Sequence, residues 1–225
     1  MLDKADVIIV GGGITGAAIA QRLARYQLEV VWCEAQPDVA MGASKANSGI
    51  LHAGFDPHPG TLKAKLNVRG LALYRELAEP LGLEIKYTGS LVVAKTPAEM
   101  TVLEQLLARG RENGVPGELT ILTREQVLQR EPNLAPDISG ALWASAAGVI
   151  CPYGAVIALA NNAVRNGVRL YTECKVEEIL TEQGRVTGVR TNKGLIAGGF
   201  VLNAAGIAAD DLSRTAGDDS FTIKA

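Results

Sequence analysis

The sequence predicts an α/β fold, in which a parallel sheet built from both ends of the chain is interrupted by a smaller α+β lobe. Two apolar runs of strand length, Asp6–Val10 and Glu29–Cys33, flank a segment with helical periodicity, which is the pattern of a βαβ unit. A third apolar run, Gly199–Asn203, has the same character near the other end of the chain. The segment between them does not repeat the βα pattern and therefore predicts the inserted lobe.

The βαβ unit comprises strand Asp6–Val10, a helix over Gly13–Tyr26 and strand Glu29–Cys33. In the middle of the chain we expect helices within 58–81, with a break near Gly70, over Pro97–Asn113 and over Arg124–Arg130, and strands within Ile85–Ala94 and over Gly140–Ala144. Pro97 begins its helix and Gly114 follows the end, as is usual for these two residue types.

The last third of the sequence returns to nucleotide-fold elements. A helix over Tyr153–Asn166 precedes three short strands, Val168–Thr172, Arg185–Thr191 and Gly199–Asn203, and the glycine-rich turns between the last strands are typical of a β-meander. The final letters, FTIKA, predict the start of a further strand, so we expect a C-terminally truncated chain. The expected domains are a discontinuous nucleotide-binding domain, 1–82 and 151–225, and a partial substrate lobe, 83–150.

The glycine turn GGGITG carries the strongest functional signal. Gly11, Gly13 and Gly16 match G-x-G-x-x-G, directly after an apolar strand and at the start of a helix, and Glu34 lies 18 positions after Gly16. Gly11 permits the tight turn, Gly13 lets a pyrophosphate approach the backbone, and Gly16 lets helix and strand pack closely. Glu34 suits the two hydroxyls of an adenosine ribose. The context predicts a Rossmann-like dinucleotide site, but it does not separate FAD from NAD.

Composition and charge exclude several classes of partner. The net charge is −2 and 20% of residues are charged, which gives no electrostatic basis for nucleic-acid binding. The apolar runs are far shorter than the ~20 residues of a membrane span. We therefore expect a cytoplasmic protein without a transmembrane segment, and peripheral membrane contact stays open. Three scattered cysteines and two histidines predict neither a disulfide framework nor a metal site.

Four stretches together resemble a known family across the whole chain. They are GGGITG, MGASKANSGILHAG with the following PGTLKAKLNVRG, GVICPYGAVIALANNA, and VLNAAGIAADDLS. The chain resembles the FAD-dependent oxidoreductases of D-amino-acid oxidase (DAO) type, which include glycerol-3-phosphate and L-2-hydroxyglutarate dehydrogenases. Members of that family are considerably longer than this chain.

The resemblance implies FAD as the cofactor and assigns roles along the chain. Gly11, Gly13 and Gly16, with Ile14 and Thr15 at the helix start, would hold the pyrophosphate, and Glu34 with the adjacent Ala35 the ribose. The residues Ser44, Lys45, Asn47, Ser48 and Gly49 would run beside the ribityl chain and the flavin ring. Val176 would meet the adenine, and Ala205 and Gly206 would let the end of the returning strand approach the cofactor.

His52 and Lys45 are the candidate catalytic residues. Considered alone, a histidine between Leu51 and Ala53 is more often structural, but its place in the flavin-proximal loop favours a role as the base that takes a hydroxyl proton. Lys45 lies in the same loop and is expected to attract an anionic substrate. His58, between two prolines, is expected to be a turn residue.

The resemblance implies oxidation of sn-glycerol 3-phosphate to dihydroxyacetone phosphate by hydride transfer to flavin N5. Oxidation of an L-2-hydroxy acid such as 2-hydroxyglutarate is the second hypothesis. A third is an FAD-binding fragment that is inactive without a missing C-terminal part. Either enzyme would act on a small anionic hydroxy substrate and pass electrons to a separate acceptor: a quinone, oxygen or a redox protein.

Overall fold

The computed structural model describes residues 3–224, and the chain forms two compact units. One unit contains the chain up to Ser48 together with the chain from Pro152 onward, and the other spans Gly49–Cys151. The first segment of the first unit ends at Ser48, whereas the expected domain boundary lies at residue 82. The division into domains 1–82 with 151–225 and 83–150 stays a prediction.

The elements are numbered in chain order. The strands are β1 (Asp3–Val10), β2 (Val30–Cys33), β3 (Ile50–Leu51), β4 (Ile85–Lys86), β5 (Ser90–Ala94), β6 (Leu119–Thr123), β7 (Gly140–Ala144), β8 (Gly148–Ile150), β9 (Arg169–Tyr171), β10 (Val176–Glu182), β11 (Arg185–Thr191) and β12 (Gly194–Asn203). The helices are α1 (Ile14–Leu23), α2 (Leu62–Leu81), α3 (Pro97–Glu112), α4 (Arg124–Arg130), α5 (Pro152–Arg165) and α6 (Ala209–Thr215), and a 3-10 turn spans Gly206–Ala208.

The first unit is built on one sheet with the strand order β10-β11-β12-β1-β2-β9. Strands β12, β1, β2 and β9 run parallel to one another, whereas β10, β11 and β12 form an antiparallel meander. This mixed sheet confirms the predicted α/β, Rossmann-like class. The chain leaves β1 for β2 on one side and returns in β12 on the other, so β1 lies at the switch point of the sheet.

The core of the first unit follows the apolar runs of the sequence. All four residues of β2 are buried, as are the last four of β1. Helices α1 and α5 pack against each other through small side chains, including Ala17 and Ala20 of α1 and Ala160 and Ala163 of α5. Small residues let two helices approach closely, and the start of α1 follows β1 after only three residues.

The second unit contains two small antiparallel sheets, β3-β8-β4 and β5-β7-β6, with helices α2, α3 and α4. Each helix begins at a threonine whose hydroxyl accepts a backbone N–H of the first turn: Thr61, Thr96 and Thr123. Such caps satisfy donors that the helix itself leaves unpaired. The small-residue loop after β2 leads into this separately packed α+β unit.

Three predicted features are wrong. Helix α1 ends at Leu23 rather than Tyr26. Helix α2 is continuous through Gly70, because a single glycine costs a helix only about 1 kcal/mol. Residues 221–224 form no strand; instead the N–H of Ile223 donates to Asp210 Oδ2 at 3.1 Å.

Among the described residues, none of the helices has both the length and the hydropathy that crossing a membrane requires.

Candidate cofactor site

The ends of three parallel strands surround one cavity in the first unit. The residues that follow β1, β2 and β12 line it, together with the loop after β2, and its volume is about 390 Å³. Ligands of open α/β sheets bind at this position, beyond the carboxyl ends of strands at the switch point. The lining includes nine predicted site residues: Gly11, Gly13, Ile14, Thr15, Glu34, Ala35, Ser44, Ala205 and Gly206.

The glycine turn brings backbone close to backbone at the base of this cavity. Gly11 has a φ of +107°, and a Cβ there would lie 2.2 Å from the carbonyl oxygen of Ala204. A Cβ at Gly16 would lie 2.0 Å from the carbonyl oxygen of Gly11, which accepts a hydrogen bond from Trp32 Nε1 at 2.9 Å. Only glycine fits at these two positions. Gly16 therefore allows α1 to pack against the turn at Gly11, and it does not line the cavity.

The N-terminus of α1 faces the cavity with little competing charge. Its first turn contains no acidic residue, and Gly13 at the N-cap offers no side chain. The hydroxyl of Ser44 accepts the N–H of Ile14 at 2.9 Å, so the loop after β2 closes over the helix start. Unpaired N–H groups and the helix dipole make such a terminus a site for phosphate.

Glu34 is held in place by its own surroundings. Its Oε2 accepts the N–H of Gly12, and its Oε1 accepts the N–H of Gln36 at 2.7 Å. Its backbone N–H donates to the carbonyl of Tyr171 at 2.9 Å, which fixes the end of β2 against β9. A carboxylate has about four acceptor positions, so lone pairs remain for the hydroxyls of a ribose.

The exit of β12 forms the third wall. The N–H of Ala204 donates to the carbonyl of Val10 at 2.8 Å, which extends the pairing of β12 with β1 up to the glycine turn. Asn203 holds the turn that follows, because its Oδ1 accepts the N–H of Ala205 at 3.2 Å and its Nδ2 donates to the carbonyl of Ala209 at 2.7 Å. Gly206 then takes a φ of +60°, in the left-handed region that favours glycine.

The remaining predicted cofactor residues do not line this cavity. In the loop after β2, Lys45 is exposed and its Nζ lies 3.5 Å from Met41 Sδ, while Asn47 Nδ2 donates to the carbonyl of Ser44 at 3.0 Å. Ser48 is the last residue of the first segment of the first unit. Gly49 belongs to the second unit, where its carbonyl accepts the N–H of Ile150 at 2.9 Å. Val176 is the first residue of β10.

His52 lies in the second unit, directly after β3. Its side chain is exposed and lines a small cavity of about 100 Å³ with Asp56, Lys63 and Asn67. His58 is also exposed, and its backbone carbonyl accepts the hydroxyl of Thr61 at 2.6 Å, so it belongs to the turn before α2.

Two of the four basic residues of α2 pair with carboxylates. Lys63 Nζ lies 3.9 Å from Asp56 Oδ2, and Arg69 Nη1 lies 3.4 Å from Glu76 Oε1, with all four side chains well exposed. Exposed pairs of this kind are typical of a solvated helix face.

Two of the three cysteines are buried thiols. Cys33 and Cys174 are buried in the core of the first unit, where burial and the neighbouring Cys174 raise the pKa of the Cys33 thiol far above its usual value. A thiol with a raised pKa is a poor nucleophile. Within residues 3–224, no group of three or more histidine, cysteine or acidic side chains is placed to hold a metal ion.

The lining also contains residues that the sequence did not single out: Gly12, Gln36, Met41, Gly42, Ala43, Ala204 and Ile207. Five of them adjoin a predicted residue in the chain, and Met41 and Gly42 open the stretch MGASKANSGILHAG, so the motifs themselves were the available signal. Taken together, the cavity offers a helix N-terminus for a pyrophosphate, a fixed carboxylate for a ribose diol and glycine backbone that a ligand can approach. These features fit a dinucleotide cofactor.

Comparison with known proteins identifies the family. The sequence model of the family described as DAO, FAD dependent oxidoreductase, matches residues 6–224. A glycerol 3-phosphate dehydrogenase of Caloramator mitchellensis is 42% identical over 97% of this chain and 45% of its own length. The L-2-hydroxyglutarate dehydrogenase of Caenorhabditis elegans is 31% identical over 96% of this chain and 51% of its own length.

The fold comparison agrees with the sequence comparison. The reduced L-α-glycerophosphate oxidase of Mycoplasma pneumoniae, solved with FAD bound, superimposes with a TM-score of 0.93 at 34% identity. The alignment covers 98% of this chain and 59% of that one, and the chain spans about half the length of the curated relatives it matches. The extent of the match, from residue 6 to residue 224, shows that this chain belongs to the DAO family of FAD-dependent oxidoreductases.

Proposed function

We propose that the protein oxidises sn-glycerol 3-phosphate to dihydroxyacetone phosphate with FAD. The observation that carries this proposal is the 42% identity to a glycerol 3-phosphate dehydrogenase across almost the whole chain. The likeness to a glycerophosphate oxidase at a TM-score of 0.93 supports the same substrate. Bound FAD supplies the acceptor, at N5, for the hydride that leaves the substrate.

The first unit holds the cofactor in this proposal. The N-terminus of α1, with Ile14 and Thr15 in its first turn, faces the pyrophosphate, and Gly11 and Gly13 leave room for it. Glu34 accepts hydrogen bonds from the ribose hydroxyls. Along the loop after β2, Ser44, Lys45, Asn47, Ser48 and Gly49 run beside the ribityl chain and the ring. Ala205 and Gly206 approach the cofactor from β12, Val176 meets the adenine, and Gly16 supports the turn.

His52 and Lys45 serve the substrate. As the C2–H bond breaks and its electron pair leaves as hydride, the C2 hydroxyl becomes a ketone and must lose its proton. The imidazole of His52 accepts that proton, which a neutral histidine can do near pH 7. The ammonium group of Lys45 is exposed and attracts the phosphate dianion.

L-2-hydroxyglutarate is the second candidate substrate, and the 31% identity to an L-2-hydroxyglutarate dehydrogenase supports it. Its oxidation uses the same bond changes at a secondary alcohol beside a carboxylate. In either case the electrons pass to a separate acceptor, either a quinone, oxygen or a redox protein. We propose a cytoplasmic protein, and a quinone acceptor would bring it into peripheral contact with a membrane.

The third candidate is a cofactor-binding fragment that requires further chain for catalysis. It is supported by the length of the relatives, since this chain covers 45% of one and 51% of another. A fragment of this kind would bind FAD through the first unit and yet leave the flavin oxidised in the presence of substrate.

Anaerobic reduction of the bound flavin separates the three candidates. The purified chain is incubated with FAD, freed of excess cofactor, and mixed with sn-glycerol 3-phosphate or L-2-hydroxyglutarate. Loss of flavin absorbance near 450 nm with glycerol 3-phosphate supports the first candidate, and loss with hydroxyglutarate alone supports the second. Bound flavin that neither substrate bleaches supports the fragment, and a chain that never retains FAD defeats all three.

A further inference from the structure

The end of α3 holds the loop that follows His52. Asn113 is the C-cap residue of α3, and both hydrogens of its side-chain amide are used: Nδ2 donates to the carbonyl of Gly54 at 2.9 Å and to that of Pro57 at 2.8 Å. One turn earlier, Arg109 Nη1 donates to the carbonyl of Asp56 at 2.6 Å. Three of the four carbonyls between residues 54 and 57 are therefore fixed by two side chains of one helix.

Close packing reinforces these hydrogen bonds. A Cβ at Gly110 of α3 would lie 2.9 Å from Phe55 Cβ, so the helix backbone touches the loop directly. On the other side, Gly54 has a φ of +108°, and a Cβ there would lie 2.7 Å from Val68 Cγ2 of α2. The loop is thus enclosed between α2 and α3. The absence of a side chain at Gly54 allows its close contact with α2, and the absence of one at Gly110 allows the close contact of α3 with Phe55.

We propose that Asn113 is a positioning residue for His52, with Arg109 as its auxiliary. The side chain of His52 is exposed, and Gly54 lies only two residues further along the chain, so the clamp on Gly54 fixes where the backbone carries the imidazole. Asn113 acts through His52 and touches no reacting atom. This inference rests on the proposed role of His52. Asn113 would contribute by holding His52 in its reactive position, because misplacing a catalytic group by about 1 Å can lower the rate about 100-fold.

Two variants and two matched controls test the clamp. Asn113→Ala removes both amide donors, and Arg109→Met removes the third. Asn166→Ala is the control for the first, because Asn166 also lies at a helix end and donates its amide to a carbonyl, that of Asn162 at 2.7 Å, but in the first unit. Arg111→Met is the control for the second, since Arg111 lies on the same helix and is exposed.

The first measurement is independent of FAD and of substrate. The chain contains only two histidines, so NMR of histidine labelled with ¹³C at the imidazole shows two signals, and His58→Gln identifies that of His52. In Asn113→Ala and Arg109→Met we expect the His52 signal to shift towards that of free histidine or to broaden. Both control variants should leave it unchanged.

The second measurement is the rate of flavin reduction by glycerol 3-phosphate. Positioning predicts a fall of about 10- to 100-fold in the limiting rate for Asn113→Ala, with the half-saturating substrate concentration nearly unchanged. A purely structural role would instead lower the melting temperature and leave the His52 signal in place, and that result overturns the proposal. If Asn113→Ala does not fold, the Arg109→Met comparison decides by the same readouts. A wild-type chain without flavin reduction would defeat the proposed function, whereas the NMR comparison would still decide the clamp.

Discussion

Glu34 is fixed before any cofactor arrives. Two backbone N–H groups of its own surroundings, from Gly12 and Gln36, direct its carboxylate, so binding a ribose does not require the side chain to be ordered. A preorganised acceptor loses less entropy on binding than a mobile one. The negative charge of the carboxylate would also repel a phosphate on the ribose 2′ oxygen, which favours binding of FAD or NAD over NADP.

Replacing Glu34 with alanine should therefore weaken FAD retention without abolishing the fold. Hydrogen bonds to a charged group contribute about 1.5–3 kcal/mol, which corresponds to roughly a 10- to 100-fold higher Kd. Titration of the apoprotein with FAD, followed by flavin fluorescence, measures this change. Glu182→Ala, at the exposed end of β10, is the control. Equal affinity in wild type and Glu34→Ala would exclude Glu34 from the cofactor site.

Replacing His52 with glutamine should separate cofactor binding from chemistry. Glutamine is polar and of similar length but cannot accept a proton near pH 7, so flavin should remain bound while its reduction by substrate slows at least ~100-fold. Stopped-flow absorbance of the flavin gives the rate. His58→Gln changes the other exposed histidine and should reduce at the wild-type rate. A His52→Gln chain that reduces as fast as wild type would remove His52 from the proposed mechanism.

At the scale of elements, local sequence patterns predicted the strands and helices that carry their own sequence signals, and missed those that do not. Strand β2 and helix α4 were found because an apolar run and a proline that follows a helix, here Pro132, are local signals. Strand β10 was missed because VEEILTE is rich in charge. The structure shows an edge strand in which Glu177 and Glu182 are exposed and Glu178 pairs with Arg190 of β11 at 2.9 Å. Strand β6 was missed because its identity depends on pairing with β7, which no local pattern reveals.

The unbroken course of α2 gives a prediction at this scale. Gly70 lies in the helix interior, and a Cβ there would meet no atom within 4 Å, so the glycine serves no packing purpose in the second unit. Gly70→Ala should raise the free energy of unfolding by about 0.5–1 kcal/mol, measured by urea denaturation. Gly82→Ala at the C-cap, where φ is +64°, should instead lower it. A loss of stability in Gly70→Ala would mean that this face of α2 is covered in solution.

For the whole molecule, the cofactor site and the candidate base reside in different compact units. Every residue lining the 390 Å³ cavity belongs to the first unit, whereas His52 and its clamp belong to the second. The sequence predicted the glycine turn and Glu34, because both follow strands that are recognisable locally. It did not predict that Asn113, far along the chain from His52, donates to the loop beside it, since only tertiary packing brings α3 there.

Binding of FAD in the cavity of the first unit would raise the stability of the folded chain. A ligand that binds only the folded state at 100 times its Kd adds about 2.7 kcal/mol to the free energy of unfolding, which for a chain of this size raises Tm by about 5–10 °C. Calorimetry should show that gain with FAD, and NADP⁺ should give none because Glu34 opposes its 2′-phosphate. In Glu34→Ala the gain at the same FAD concentration should shrink. If FAD leaves Tm unchanged in wild type, the cavity at the ends of β1, β2 and β12 is not a working FAD site in this chain.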